Sequence, residues 1–376
     1  MHERGFEAGF PTETASEGNV KVLVPKLSAY RKEPSDYAPS KAPVFYNPVM
    51  EFNRDVSVLV LQAYQRIMNR PLTVCEPLTG SGIRGIRYAA EIDGVDKVVL
   101  ADLTVRACRL AEHNVQINKL HGRVDVREVE ANLLLSQHSA PRRRFDVVDI
   151  DPFGSPIPYI DSAVRALRNG GMLSLTATDM APLCGVHSKA CIRKYGGKPL
   201  RTEYCHELAV RLLAGCAARI AAKHDVGLRF VFSHRAEHYI RVYATIHYGA
   251  KKADESLRRL GYILHCFSCL HRETAGELFR QEGKCNECGS LLNYAGPLWL
   301  GEIFDAEYAG SALSSLDGRR VRNFSKIHRM LSLIRKEADA PATYYVIDKV
   351  SDVLNLPTPS VKVVAEAVGT TDSTHG

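Results

Sequence analysis

Between Leu72 and His247, short apolar runs alternate with longer segments whose apolar positions recur every three or four residues. The runs Leu72–Glu76, Lys97–Asp102, Val124–Val129, Phe145–Ile150 and Met172–Ala177 predict strands. Ile83–Ile92, Thr104–Lys119, a short stretch near Asn132 and Pro158–Arg168 predict the helices between them. This alternation predicts an α/β domain: a doubly wound, mostly parallel sheet covered on both faces. A long helix over Thr202–Lys223 follows. The closing strands Gly227–Ser233 and Ile240–His247 are separated by a short connection and predict an antiparallel edge pair.

Upstream, the segment from Phe45 to Met68 opens with Phe45-Tyr46-Asn47-Pro48 and continues as a helix. Residues 1–44, rich in Glu, Pro and Ser around the apolar run Val20–Val24, read as an N-terminal arm with one hairpin. A break at Tyr248–Ala253 divides residues 45–250 from a smaller α+β domain, 251–376. That domain opens with a cysteine-bearing segment and continues with helical patterning from Gly301 to Val368. Within it, Tyr344–Leu356 and Pro359–Val368 predict two short helices joined by a Pro-containing turn. They suit either a nucleic-acid contact or simple packing.

The 376 residues are 45% hydrophobic and 24% charged, which excludes disorder for most of the chain. No apolar run reaches the roughly 18–20 residues a membrane helix needs; the best candidate, His206–Ala222, is interrupted by Arg211 and Arg219. The first residues lack the apolar core of a signal peptide. These features predict a cytoplasmic protein with no membrane partner, and we expect a monomer. In a reducing compartment, its 10 cysteines are thiols or metal ligands rather than disulfides. The net charge is +7, and residues 251–376 hold 16 Lys+Arg and 16 Asp+Glu, so the whole excess lies in the first 250 residues. Its densest stretch, His187–Arg201, carries Lys189, Arg193, Lys194, Lys198 and Arg201 with Tyr195 and two glycines and no acid. Such a loop is either solvated surface or a track for a phosphate backbone.

The chemistry begins after the first strand. Pro77 to Gly85 places Gly80, Gly82 and Gly85 in a G-x-G-x-x-G spacing between a strand and a helix. That spacing allows close backbone approach to a ligand and a tight turn into a helix, and it serves nicotinamide, flavin and S-adenosylmethionine sites alike. Asp102, at the tip of the second strand, suits a ribose diol. Glu130 and Ala131, after the third, suit an adenine edge. Glu76 beside the turn suits an ammonium, which favours S-adenosylmethionine over a pyrophosphate-bearing cofactor.

The fourth strand ends in Asp149-Ile150-Asp151-Pro152-Phe153-Gly154. An exocyclic amine on an aromatic ring is a poor nucleophile, because its lone pair is delocalised. Asp151 can accept a hydrogen bond from one N–H, and the Pro152 peptide region can present a carbonyl to the other. Together they favour a pyramidal nitrogen, while Phe153 stacks on the ring. The acceleration expected is mainly positioning and electrostatics.

With these residues in order, the sequence resembles the tRNA (guanine-26 N2)-dimethyltransferases over roughly residues 20–368. The resemblance is carried by Phe45-Tyr46-Asn47-Pro48 through Asn53-Arg54-Asp55, by the Glu76–Gly85 turn and by Asp149–Pro156. Further strings are Thr176-Ala177-Thr178-Asp179 with Ala181-Pro182-Leu183-Cys184-Gly185, and Arg193-Lys194-Tyr195-Gly196 with Pro199 to Tyr204. Ser233-His234 with Glu237 to Arg241 completes the set. The resemblance implies a Rossmann-like class I S-adenosylmethionine-dependent methyltransferase domain, tRNA as partner, and transfer of one or two methyl groups to guanine N2. It also implies that Arg54, Arg84, Asp102, Glu130 and Ala131 contact S-adenosylmethionine, that Asp151 holds the guanine amine, and that Phe45 and Phe153 sandwich a flipped base. Glu130 stands where that family often has Asp, which changes its reach. Extruding a stacked, paired guanine costs a few kcal/mol, which phosphate contacts from residues 189–201 would offset. Helical RNA offers little sequence to read, so shape would set specificity. The family's further basic stretch is cut short or altered after Val368.

Cys266-Phe267-Ser268-Cys269 and Cys285-Asn286-Glu287-Cys288 form C-x2-C-x15-C-x2-C, with Gly289 after the second pair. Two such pairs predict a closed, structural zinc site, and the resembled family often carries cysteines here. Cys108 reads as core. Cys184, Cys191 and Cys205 have irregular spacing and predict no second metal. Three alternatives remain: an amine methyltransferase acting on another nucleic acid, a protein or a small molecule; a nicotinamide-dependent oxidoreductase; and an inactive zinc-ribbon RNA-binding protein. The Asp-Pro-Phe-Gly loop disfavours the second, because hydride transfer has no use for an amine-binding loop. Intact Asp102, Asp151 and Arg54 disfavour the third.

Overall fold

The computed structural model describes residues 6–31, 33, 38–277, 283–337 and 340–369. In chain order the elements are β1 (Thr12–Glu17), β2 (Val20–Pro25), α1 (Glu51–Met68), β3 (Leu72–Glu76), α2 (Ile83–Glu91), β4 (Val95–Asp102), α3 (Val105–Ile117), β5 (Val124–Glu128), α4 (Ala131–Gln137) and β6 (Phe145–Ile150). They continue with α5 (Ile157–Ala166), β7 (Leu167–Ala177), α6 (Met180–Leu183), α7 (Ser188–Tyr195), α8 (Cys205–Ala222), β8 (Val226–Ala236), β9 (Tyr239–Tyr248) and α9 (Ala250–Leu257). The remainder is β10 (Leu260–His265), β11 (Arg272–Ala275), β12 (Asn293–Trp299), α10 (Ala306–Ser314), α11 (Phe324–Lys336), α12 (Ile347–Leu354) and α13 (Val361–Ala367).

The chain forms two compact units. The first comprises residues 1–179, 217–257 and 302–339. Its seven-stranded sheet has the order β5-β4-β3-β6-β7-β9-β8. The first five strands are parallel, β9 runs antiparallel to β7, and β8 pairs antiparallel with β9. The expected α/β sheet and its antiparallel edge pair are both present. The six residues of β6 are all buried, as a strand covered on both faces requires. Gly85 lets α2 lie directly on β4: a Cβ there would fall 2.3 Å from Leu100 Cδ2.

The N-terminal arm is a hairpin, β1–β2, built into this unit. Val20, Val22 and Val24 are buried in the main core. The Asn114 side chain in α3 pairs with both Leu23 N (2.7 Å) and Leu23 O (2.9 Å). Helices α10 and α11 also belong here. Tyr308, Ala309, Ala312, Ile327, Leu331 and Ile334 share one core cluster with Val56, Leu59 and Val60 of α1. The apolar stripe of α11 at spacings of four and three residues needs a partner face, and the first unit supplies it.

The second unit comprises residues 180–216, 258–301 and 340–376. It contains a three-stranded antiparallel sheet of order β11-β10-β12. Arg211 donates from one nitrogen to Trp299 O (3.0 Å) and Gly301 O (2.9 Å). Gly215 keeps the backbone of Leu298 close, since a Cβ would lie 3.0 Å from it. The two units therefore divide the chain differently from the expected 45–250 and 251–376. Long-range packing of α10 and α11 on α1, and of the 180–216 segment on β12, draws the line.

Candidate active site

In the first unit the strand order reverses between β3 and β6, and crevices open at the carboxyl ends of strands at such a point. Two loops meet there: the glycine turn after β3 and the Asp151–Gly154 loop after β6. Gly80 and Gly82 adopt φ of 54° and 81°, a region that favours glycine. Gly80 N donates to Asp102 Oδ2 (3.0 Å), and Thr79 N donates to Ala101 O (2.8 Å). The other Asp102 oxygen accepts from Thr104 N (3.0 Å) and Thr104 Oγ1 (2.9 Å). The carboxylate is thus fixed at the tip of β4 by both flanking loops.

Glu76 lies buried beneath the turn. Its Oε2 accepts from Gly85 N and Thr79 Oγ1, each at 2.9 Å, and its Oε1 lies 3.6 Å from Arg84 Nε. Burial pushes its carboxyl up to about 8, outweighing the nearby Arg84 guanidinium. In this position Glu76 organises the turn.

Arg84, on the first turn of α2, is the hub of the site. Its Nη1 donates to Asn53 Oδ1 (2.8 Å) and Ser57 Oγ (2.9 Å), and its Nη2 pairs with Asp151 Oδ2. Two residues before Asp151, within β6, Asp149 is buried. Asp149 Oδ2 accepts from Tyr88 OH and pairs with Arg241 Nη2. Arg241 also bonds Thr176 Oγ1 and, through Nε, Tyr243 OH at 2.7 Å. Burial would raise the Asp149 carboxyl, but Arg241 and Arg84 hold it below its ordinary value. His234 is also buried here, and burial together with Arg241 and Arg84 lowers it to about 3, so its ring is neutral.

Above this network, the Phe45 and Phe153 rings meet edge to face with centroids 4.5 Å apart. Phe153 is 68% exposed, which leaves most of its ring open to solvent. Gly154 N donates to Thr178 Oγ1 (2.7 Å), and Thr178 N donates to Gly154 O (2.9 Å), which ties the loop to the end of β7. Gly80 packs under Phe45, whose carbonyl would be 3.0 Å from a Cβ at that position.

A family model described as N2,N2-dimethylguanosine tRNA methyltransferase matches residues 18–374. The chain belongs to this family. Among its relatives, the tRNA (guanine(26)-N(2))-dimethyltransferase of Methanobrevibacter smithii is 40% identical over 356 residues, covering 94% of this chain and 89% of the relative. The tRNA (guanine(26)-N(2)/guanine(27)-N(2))-dimethyltransferase of Aquifex aeolicus is 34% identical, covering 94% and 88%. Trm1 of Pyrococcus horikoshii, solved with S-adenosyl-L-methionine, superposes with a TM-score of 0.82 at 32% identity, covering 95% of this chain and 91% of that one.

The residues present fit such a donor. Carboxylates at strand tips and a buried guanidinium suit a ribose diol and a zwitterionic methionyl group, whereas a polyphosphate would need several cations. Asn53 Nδ2 and Asp149 Oδ1 are buried without a hydrogen-bond partner in the protein, so each keeps capacity for a bound group. Asn53, Ser57, Tyr88, Arg241 and His234 had no role assigned from sequence. The available signal was Arg241 between Ile240 and Val242, a charge at the start of a mostly apolar strand.

Three further expected residues, Arg54, Glu130 and Ala131, are held by contacts of their own. Arg54 is buried against Glu17 of β1, donating to its two oxygens at 2.7 and 2.6 Å and to Asn47 O at 3.0 Å. Glu130 caps α4, accepting from Leu133 N at 2.8 Å and from Asn132 Nδ2 at 3.2 Å; Ala131 beside it is buried.

In the second unit, the four predicted cysteines converge with all Sγ atoms within 4.8 Å of one another. Cys266–Cys288 and Cys269–Cys285 lie 3.5 Å apart. Leu270 N bonds Cys266 O and Gly289 N bonds Cys285 O, with φ of 62° at Leu270 and 72° at Gly289. Two matching turns and four thiols fit one tetrahedral zinc ion.

The basic stretch expected as a loop is largely helical. Lys189, Arg193 and Lys194 sit on α7 and are exposed, as is Arg201 beyond it. Lys198 is held differently: its backbone pairs with Gly296 and its ammonium lies 4.0 Å from the Tyr294 ring centroid. Among the described residues, no helix is long and apolar enough to cross a membrane.

Proposed function

We propose that this protein transfers methyl groups from S-adenosylmethionine to the exocyclic N2 of guanine 26 in tRNA, with Asp151 holding the reacting amine. One observation supports this reading: Asp151 pairs with Arg84, and two residues further on Phe153 meets Phe45 edge to face, at the sheet's switch point. The guanine is extruded into this corner. Phe153 turns from its edge-on contact with Phe45 to stack on the base, worth about 1–3 kcal/mol.

Asp151 accepts one N–H of the amine and the Pro152 carbonyl accepts the other. The nitrogen becomes pyramidal, and its lone pair aligns with the methyl group. Bound S-adenosylmethionine supplies an activated methyl on a sulfonium. Arg84 and Arg54 neutralise its carboxylate, Asp102 accepts from its ribose hydroxyls, and Gly80, Gly82, Glu130 and Ala131 border its nucleoside. Each transfer leaves the donor as its neutral thioether, and the proton lost by the methylated amine passes through Asp151 to water; after the first, one N–H remains for Asp151 to hold. Lys189, Arg193, Lys194 and Arg201 meet tRNA phosphates. We further propose that the working form is a cytoplasmic monomer carrying one zinc on Cys266, Cys269, Cys285 and Cys288.

The test is labelled S-adenosylmethionine with unmodified tRNA, followed by mapping of the labelled nucleoside. Label on N2 of guanine 26 that disappears in a guanine-26-to-adenine transcript supports the reading. Label confined to guanine 27, or found only on protein or a small molecule, overturns it. Asp151→Ala is expected to lower the transfer rate by about 10²–10⁴ while tRNA affinity stays within a few-fold. Full activity in this variant would remove Asp151 from the mechanism.

A further inference from the structure

The second unit holds another cluster of soft metal ligands, which neither the transfer reaction nor the four-cysteine site uses. Cys184 ends the turn after α6, and Cys205 and His206 open α8. Their two Sγ atoms and one imidazole nitrogen lie within 4.8 Å of one another. The spacing 184, 205, 206 matches no ligand motif, and from sequence these cysteines predicted no metal; folding brings them together.

The local backbone explains the meeting. Cys184 N donates to Met180 O at 2.8 Å, closing the α6 turn. Gly185 then takes a φ of 89°, and a Cβ there would stand 3.0 Å from Leu200 C and Arg201 N. The chain leaving Cys184 therefore runs against the chain about to enter α8. Cys184 Sγ lies 3.8 Å from Cys205 O. All three residues are half-buried, so they are sheltered yet leave one side open to water.

We propose that Cys184, Cys205 and His206 form a second zinc site, with water as fourth ligand, that clamps the base of the basic segment. Around a tetrahedral zinc, two thiolates and an imidazole stand about 3.5–3.8 Å apart, so modest side-chain rotation closes the observed cluster. Two thiolates and an imidazole suit zinc and exclude magnesium and calcium, which take oxygen ligands. Binding releases the thiol protons and involves no redox step. Cys205 is the first residue of α8, where the helix N-terminus favours a thiolate.

The clamp joins the two ends of the segment that carries Lys189, Arg193, Lys194 and Arg201, and so removes the closure entropy of that loop. A basic surface held in shape binds RNA at a smaller ordering cost. This consequence rests on the tRNA reading above, whereas the metal count does not.

The metal content of the full chain, purified with a thiol reductant and dialysed against metal-free buffer, tests the site. Two zinc ions per chain are expected in the parent, and one in Cys184→Ser and in His206→Asn. A thermal melt and S-adenosylmethionine binding check that each variant is folded. Titration with cobalt(II) alone provides a second reading, because the four-thiolate and two-thiolate sites absorb differently. The variants should lose one of two components. One zinc per chain in the parent, with a cobalt spectrum unchanged in both variants, overturns the proposal, as does a Cys184–Cys205 disulfide in the reduced preparation. For the clamp's role, His206→Asn should raise KM for tRNA several-fold at unchanged kcat. Unchanged KM with the second zinc lost would leave the site and refute the clamp.

Discussion

Asp149 lies in β6 and Asp151 just beyond its end, and their surroundings give them different work. Asp149 is fully buried, with Arg241 and Tyr88 on one oxygen. Asp151 reaches the strand tip and meets Arg84. Asp149→Asn would leave Arg241 buried without its counter-charge, and we expect a stability loss of about 3–5 kcal/mol, read as a lower denaturant midpoint. Arg84 keeps Asn53 and Ser57 as acceptors when Asp151 is removed, and Asp151 is partly exposed, so its removal should lower that midpoint less. A comparable loss at both positions would contradict the division of roles. Glu76 adds a pH dependence of defined sign. Its folded value, about 8, lies above the ordinary value of 4.5, so native Glu76 holds its proton longer than the unfolded chain does. That stabilisation is complete below pH 4.5 and is lost as pH rises through 8. Glu76→Gln should flatten the fall in melting temperature between those limits; an unaltered slope would mean that other groups dominate.

The glycine turn and the cysteine pairs were legible because each is short and local. The spacing of Gly80, Gly82 and Gly85 encodes positive φ and close helix–strand packing, and both occur. The two C-x2-C turns need only their own backbone to form. Cys285→Ser should therefore abolish the four-cysteine zinc and loosen β10–β12, seen as faster amide exchange across those strands; unchanged protection would argue that the ion is dispensable. Helix α7 was harder to read, since its eight residues carry alternating basic and apolar positions between glycines. Cys191 and Tyr195 turn inward, and that burial makes it a helix. Lys189→Ala with Arg193→Ala should weaken tRNA binding and reduce the salt slope by about 0.7–0.9 for each phosphate no longer neutralised; an unaltered slope would place the tRNA elsewhere on the surface.

Across the chain, strand–helix alternation was enough to foresee the sheet, its edge hairpin and the loops that carry the site. Periodicity reports which face of a segment is apolar, and a parallel sheet with covering helices is the arrangement that buries such faces together. The strings around Asn53-Arg54-Asp55 and Asp149–Pro156 also marked segments that meet in the structure, where Arg84 contacts both Asn53 and Asp151. What periodicity could not report is which apolar face meets which. α10 and α11 join α1 although the whole seven-stranded sheet lies between them in sequence. Glu17 of the arm turns both oxygens to Arg54, Arg241 closes on Asp149, and Cys184 comes to rest beside Cys205 and His206. Each of these joins distant segments, decided by shape and charge complementarity once the chain is compact. Amino-acid order by itself determined most elements of the seven-stranded sheet, the glycine turn and the Asp151–Gly154 loop. Only tertiary packing determined the partners of the buried charges and the boundaries of the two units.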